Sequence, residues 1–295
     1  MRVLLFLGTN LAVLALVSLV FNLLGLQNIL LQNGVDLNLT TLLLFCAVFG
    51  FGGSFISLFL SKWMAKRGTG TQVIEQPSNR QEQWLIDTVK ELAEEAGVGM
   101  PEVGIFPSQA SNAFATGWNR NDALVAVSAG MLQRFRPEEV RAVMAHEIGH
   151  VANGDMVTLT LIQGVVNTFV MFLARIIGHT VDRVVFKNDR GYGFGYIAVT
   201  IVAELVLGFL ASTIVFWFSR RREYRADAAA ASLTTNAHMI AALERLRQEQ
   251  GLPQDLPGEM TAFGISEQMK EGFSGLFRSH PPLEDRIRAL SQPGA

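Results

Sequence analysis

Arg141-Ala-Val-Met-Ala-His146-Glu147-Ile-Gly-His150-Val-Ala-Asn-Gly-Asp155 is the stretch on which the reading of this chain turns. It contains His-Glu-x-x-His. On an α-helix, positions i and i+4 lie about 40° apart around the axis, so His146 and His150 share a face. Two imidazoles on one face can ligate a single Zn²⁺, and Glu147 stands beside them where an attacking water would lie. Pro137 suits a first helical turn, Glu138 and Glu139 complement its dipole, and Gly154 offers a stop. Such a pattern arises by chance in on the order of one chain of this length in a hundred. Only five histidines occur in all 295 residues, so two at ligand spacing outweigh the alternative of an ordinary amphipathic helix.

Composition points to a membrane. The chain is 49% hydrophobic and 17% charged, where soluble domains carry about 25% charged residues. A net charge of −2 gives no electrostatic case for nucleic acid as a partner. The single cysteine, Cys46, excludes an intrachain disulfide and a multi-cysteine metal site.

Residues 3–24 and 37–60 are apolar and long enough to cross a bilayer, which takes about 20 residues. They read as a transmembrane hairpin, and the first is longer than a signal-peptide core. No Lys or Arg lies in 25–36, whereas Arg2 precedes the pair and Lys62, Lys66 and Arg67 follow it. The positive-inside rule then places the N-terminus and residue 61 onward in the cytoplasm. Small residues Gly50, Gly52, Gly53, Ser54 and Ser57 mark close helix packing.

Residues 61–80 read as a polar linker, 78–96 as a helix, and 102–106, 112–118 and 123–128 as strands of a small sheet. A third apolar run, 156–177, and a fourth, 196–218, flank a polar connection at 178–195 and form a second hairpin, transmembrane or membrane-associated. Gln163, Asn167, Arg175 and Glu204 interrupt these runs, and Glu204 is expected to hydrogen-bond Asn167. Residues 228–250 read as a further helix, and Pro281 and Pro282 start a last one. The predicted organisation is a hairpin at 1–61, a first domain part at 62–155, the second hairpin at 156–218 and a second domain part at 219–295.

A hairpin returns the chain to the side it left, so Arg222-Glu223-Tyr-Arg-Ala-Asp227 rejoins the His-bearing helix. A catalytic zinc needs three protein ligands and an open position. The third has four candidates: Glu223, Asp227, His280 and His238. Glu223 is preferred, because His₂Glu is an established ligand set. Asp227, one turn on, would accept the free ring N–H of a ligating histidine. The same pair reads equally as i, i+4 partners of Arg222 or Arg225 on an exposed face.

Taken together, His146-Glu147-Ile-Gly-His150, Arg222-Glu223-Tyr-Arg-Ala-Asp227, Ser111-Asn112-Ala113-Phe114-Ala115-Thr116-Gly117 and Ser279-His280-Pro281 resemble the gluzincin metalloproteases. With four apolar runs, the chain is similar over its whole length to the HtpX family of heat-shock-associated bacterial membrane zinc proteases, relatives of the CAAX prenyl proteases. The resemblance implies a mainly α-helical integral membrane protein with a cytoplasmic zincin-like α+β protease domain. It implies one Zn²⁺ per chain on His146, His150 and Glu223, with Glu147 as general base. It further implies Asn112, Ala113, Phe114 and Ala115 as an edge strand for extended substrate, and His280 as an oxyanion stabiliser. Without the resemblance, His280 reads as a residue before a helix start. The expected setting is the bacterial inner membrane, multi-pass, with both termini and the active site cytoplasmic. The expected partners are the bilayer, misfolded membrane proteins as substrates and other membrane quality-control proteases.

Other readings are a CAAX-like processing peptidase with one substrate, a metal-binding membrane scaffold or transporter, a non-haem Fe(II) site and an intramembrane-cleaving protease. A scaffold needs no general base, so Glu147 favours hydrolysis, and it favours zinc over iron. Charged Glu138, Glu139 and Arg141 place the His helix outside the apolar runs.

Overall fold

The computed structural model describes residues 37–188, 191–249 and 280–292, with isolated positions among the first 32. The first apolar run, its connection and the segment 250–279 therefore fall almost wholly outside the described residues. In chain order the described elements are α1 (Leu39–Thr69), β1 (Gln72–Val73), α2 (Arg80–Glu95), β2 (Glu102–Phe106), β3 (Ala113–Asn119), β4 (Asp122–Ser128), α3 (Ala129–Arg134), α4 (Pro137–Asn153), α5 (Asp155–Val184), α6 (Phe194–Leu233), α7 (Asn236–Glu249) and α8 (Leu283–Ser291). They form two compact units, Met1–Ile56 with Thr160–Val215, and Ser57–Leu159 with Phe216–Ala295.

In the first unit, α1, α5 and α6 are long and apolar enough to cross a membrane. Leu39, Leu43, Cys46 and Phe172 make its small core. Of the small-residue patch, Gly50 is the close contact: an added Cβ would stand 2.5 Å from Thr168 Oγ1 and 3.0 Å from Gly164 O. Gly52 and Gly53 meet no described atom within 4 Å. The expected Glu204–Asn167 bond does not form. Arg175 donates to Glu204 (3.0 Å), and Asn167 accepts from Gln163 (2.8 Å). An opposite charge satisfies a carboxylate among apolar helices better than an amide does.

The second unit holds a mixed sheet in the order β1-β2-β4-β3. β2 and β4 are parallel, and β3 is an edge strand antiparallel to β4. Alternation gives the sheet two apolar faces. Val103, Val125 and Val127 join Leu85, Val89, Val143, Ile148 and Leu243 in the main core, under α2, α4 and α7. Phe106, Phe114, Leu124 and Ala126 face the other way, towards Ala65 of α1.

Several boundaries differ from the sequence expectations. Residues 61–69 continue α1 rather than forming a linker, because Ala65 packs on the sheet, and β1 follows. α5 persists to Val184, which shortens the polar connection. α6 runs on past Phe218 to Leu233, and the expected single helix at 228–250 breaks before Asn236, where Thr235 Oγ1 caps the His238 N–H (3.1 Å).

Ser128 ties edge strand to sheet. Its N–H donates to Asn112 O (2.8 Å), and its buried hydroxyl accepts from Asn112 N (3.0 Å) and Met131 N (3.1 Å). Ser128→Ala removes the cap of α3 and orphans a buried N–H, costing about 2 kcal/mol. The thermal midpoint in detergent is expected to fall by about 5 °C; an unchanged midpoint would show that the hydroxyl is dispensable.

Candidate metal centre

The His helix, α4, is built as its sequence requires. Pro137 occupies the first turn, the Glu139 carboxylate accepts from Arg136 N–H (2.9 Å), and Gly154 closes the helix in the left-handed region at φ 67°. Its residues from Val140 to Val151 are almost all buried, His146, Glu147 and His150 among them. α6 crosses α4 at Gly149, where an added Cβ would lie 3.0 Å from Ala229 Cβ and 3.3 Å from Ala226 O. A residue without a side chain lets the two backbones approach this closely without crowding.

That crossing delivers Glu223, which has no exposed surface, to the two imidazoles. Its Oε2 lies 3.5 Å from His146 Nε2, and its Oε1 lies 3.3 Å from His150 Nε2. Bonds of 2.0–2.1 Å to a tetrahedral ion separate ligand atoms by about 3.4 Å, so each imidazole stands at about that spacing from one Glu223 oxygen. Neither Glu223 oxygen has a hydrogen-bond donor in good geometry. A buried carboxylate without donors is costly, and a cation resolves it. His146, His150 and Glu223 thus form a candidate metal site.

The outer nitrogens are held separately. His146 Nδ1 lies 2.9 Å from Asp227 Oδ1, and His150 Nδ1 lies 2.7 Å from Asp155 Oδ2. Each carboxylate accepts an Nδ1–H and so presents the Nε2 lone pair inward. Arg286, itself buried, grips Asp227 with Nε at 2.8 Å and Nη2 at 2.6 Å. Burial opposes the Arg286 charge, but Asp227 and Glu223 hold its ionisation above the ordinary arginine value. Glu147, Glu223, Asp227 and Asp155 set four carboxylates against Arg286 and Arg225, which favours a divalent cation once the imidazoles are neutral.

Burial alone would push the His146 imidazolium down. The Asp227 bond and the nearby Glu223 overrule it and raise it to about 9. His150 is likewise raised against its burial, by Asp155 and Glu223.

The structure brings together His146, Glu147, His150, Glu223 and Asp227. His280 joins them, its Nδ1 2.8 Å from Glu223 Oε2. His238, at the start of α7, is not in the ligand group. Asn112 precedes β3, and its backbone N–H and C=O both engage Ser128. As a hydrogen-bonded pair with Ser128, it sets the alternation along the strand: Phe114 and Thr116 turn their backbone groups to β4, while Ala113, Ala115 and Gly117 turn theirs to the free edge. The Asn112 side-chain oxygen accepts the Ala113 N–H (2.9 Å). Sequence reasoning missed Asp155 and Arg286. Asp155 had a signal, five residues past His150 across a helix stop; Arg286 had none.

A buried His-Glu-x-x-His helix packed on an edge strand, with a third carboxylate from the helix after an apolar run, defines a membrane metalloprotease. The chain belongs to Peptidase family M48, whose pattern it matches over residues 79–293. Its similar relatives include proteins called Protease HtpX. Those of Pseudomonas putida (67% identical), Pseudomonas entomophila (66%) and Pseudomonas syringae pv. tomato (64%) each align over 294 residues, covering 100% of both chains. Among solved structures, S. mikatae Ste24p shares the fold, with a TM-score of 0.61 and 19% identity over 98% of this chain and 67% of that one.

Two outcomes follow from the geometry. Asp155→Ala is expected to weaken metal binding about 10–100-fold in chelator competition. Asp155→Asn should lose less, since its amide oxygen still accepts the Nδ1–H; equal retention by all three proteins would contradict the role. Protons and metal also compete for the Nε2 lone pairs. With His146 raised to about 9, metal uptake by apo-protein at pH 7 should release at least one proton. Affinity should climb about tenfold per pH unit towards pH 9. Calorimetry in buffers of different ionisation enthalpy reads the proton count, and a pH-independent affinity would contradict the raised imidazole.

Proposed function

We propose that the chain is a zinc-dependent endopeptidase of the bacterial inner membrane, acting from the cytoplasmic side on misfolded or damaged membrane proteins. The observation that carries the chemistry is the placement of Glu223 at 3.5 and 3.3 Å from the two Nε2 atoms, with Glu147 between those histidines in sequence. His₂Glu with both Nδ1 atoms held by carboxylates suits zinc. Bound zinc would supply Lewis-acid polarisation of the scissile carbonyl and of the attacking water.

The chain's own groups supply the rest. Glu147 takes the proton of the attacking water and delivers it to the leaving amine. The outward N–H and C=O groups of Ala113 and Ala115 hold an extended peptide without regard to its side chains, once the peptide replaces Asn112 Oδ1 at Ala113. Phe114 supports that strand from behind, packed on Phe106 with ring centroids 5.5 Å apart. His280 offers a donor to the developing oxyanion. Sequence-independent backbone binding fits a quality-control role. Lys62, Lys66 and Arg67 after the α1 apolar run support the cytoplasmic orientation.

The test pairs wild type with Glu147→Gln in detergent. Both are expected to hold about one zinc per chain, while cleavage of an unfolded membrane protein falls at least about a hundredfold in the variant. Equal cleavage by both would overturn the assignment.

A further inference from the structure

Exposed aromatic rings mark the ends of two apolar runs where they enter the catalytic unit. At the end of the α1 run, Phe59 is 67% and Trp63 58% exposed, with Leu60 and Met64 exposed beside them. The Arg67 guanidinium lies 5.6 Å over the Trp63 ring. At the end of the α6 run, exposed Trp217 and Phe218 pack edge to face with centroids 4.8 Å apart, and Arg221 lies 4.5 Å over Trp217.

The α1 belt includes a residue from the edge strand. Trp118 stacks on Phe59 with ring centroids 5.1 Å apart and planes 26° apart. Its indole N–H donates to Asp122, which Lys62 also binds; Lys62 reaches Glu102 at 2.8 Å as well. The far end of β3 is thereby pinned to the last apolar turns of α1.

Amphipathic rings with a cation beside them, at the end of a run about 20 residues long, suit the headgroup layer of a bilayer. The α6 rim also fixes the height of the metal site. Glu223 follows Phe218 by five residues, about 7.5 Å along the helix. Asp155, which holds His150, is the first residue of α5, directly before its apolar run. Both the ligand cluster and the Trp118 end of β3 therefore lie close to the level where the chain leaves the membrane.

We propose that the rim of Phe59, Trp63, Trp118 and Trp217 is seated among phospholipid headgroups, and that this confines cleavage to juxtamembrane segments of substrates. The height of the site, about 7.5 Å, plus the strand length from Ala113 to Trp118, about 17 Å, corresponds to about seven extended residues from the end of a substrate's span. The seating stands on the rim alone; the substrate class rests on the peptidase reading above.

Two measurements test it. In the first, two single-tryptophan forms, one keeping Trp118 and the other Trp84, the rest replaced by Phe, are reconstituted in phosphatidylcholine vesicles. The vesicles contain a lipid carrying a nitroxide near the carbonyl level. Trp118 is expected to be quenched severalfold more than Trp84, which packs against the core. Quenching of Trp118 by aqueous acrylamide but not by the lipid overturns the seating. Protection from both, as a protein partner or second copy would give, overturns it too.

The second measurement uses wild type. It cleaves single-span substrates in vesicles, with one susceptible sequence set about 5, 10, 20 or 40 residues beyond the span. Cleavage is expected to fall at least about fivefold between 10 and 40 residues. Equal rates at all distances overturn the substrate class. Absence of cleavage at every distance, with lipid quenching intact, counts against the peptidase reading and removes the substrate class with it, leaving the seating in place.

Discussion

Glu223 carries a carboxylate to full burial between two imidazoles with no hydrogen-bond donor in good geometry on either oxygen. A charge in that position is tolerable only against other charges. The surrounding arrangement follows from this constraint. Two histidines face it, Arg286 approaches one oxygen at 3.5 Å, and the spacings suit a cation between the three ligand groups. Gly149 eases the approach, because an added Cβ would crowd Ala229 and Ala226 of α6 at 3.0–3.4 Å.

The two histidines of the candidate metal site are oriented by different means. His150 is held by Asp155, five residues on, where the chain turns through Gly154 into the next helix. His146 is held by Asp227, which depends on Arg286 from the last described helix. One imidazole is thus set locally and the other through elements distant in sequence. The C-terminal segment contributes both Arg286 and His280, so the centre is complete only when α8 is packed in place.

The sheet serves this centre in a complementary way. Its interior strands bury both faces, while β3 keeps one edge unpaired among the described residues. Ser128 anchors the beginning of that strand, and Trp118 anchors its end to α1. An edge held at both ends stays available for an added strand without fraying.

Much of this was legible in the residues themselves, because the deciding signals are local. The His146/His150 spacing, Pro137 and Gly154 delimit α4; alternation and turn residues delimit β2, β3 and β4; long apolar runs mark α1, α5 and α6. Glu223 and Asp227 were legible as a pair, but not which atoms they would meet. The continuation of α6 beyond Phe218 was hidden because its apolar run ends while its helical hydrogen bonding does not. Arg286 was hidden because it meets Asp227 from 59 positions further along the chain, and Arg175 displaced the expected partner of Glu204. Sequence periodicity determined which elements form and which residue types can perform the chemistry. Tertiary packing alone decided which charges meet, since a buried charge selects its partner by proximity in space and by desolvation, and neither is written in the spacing along the chain.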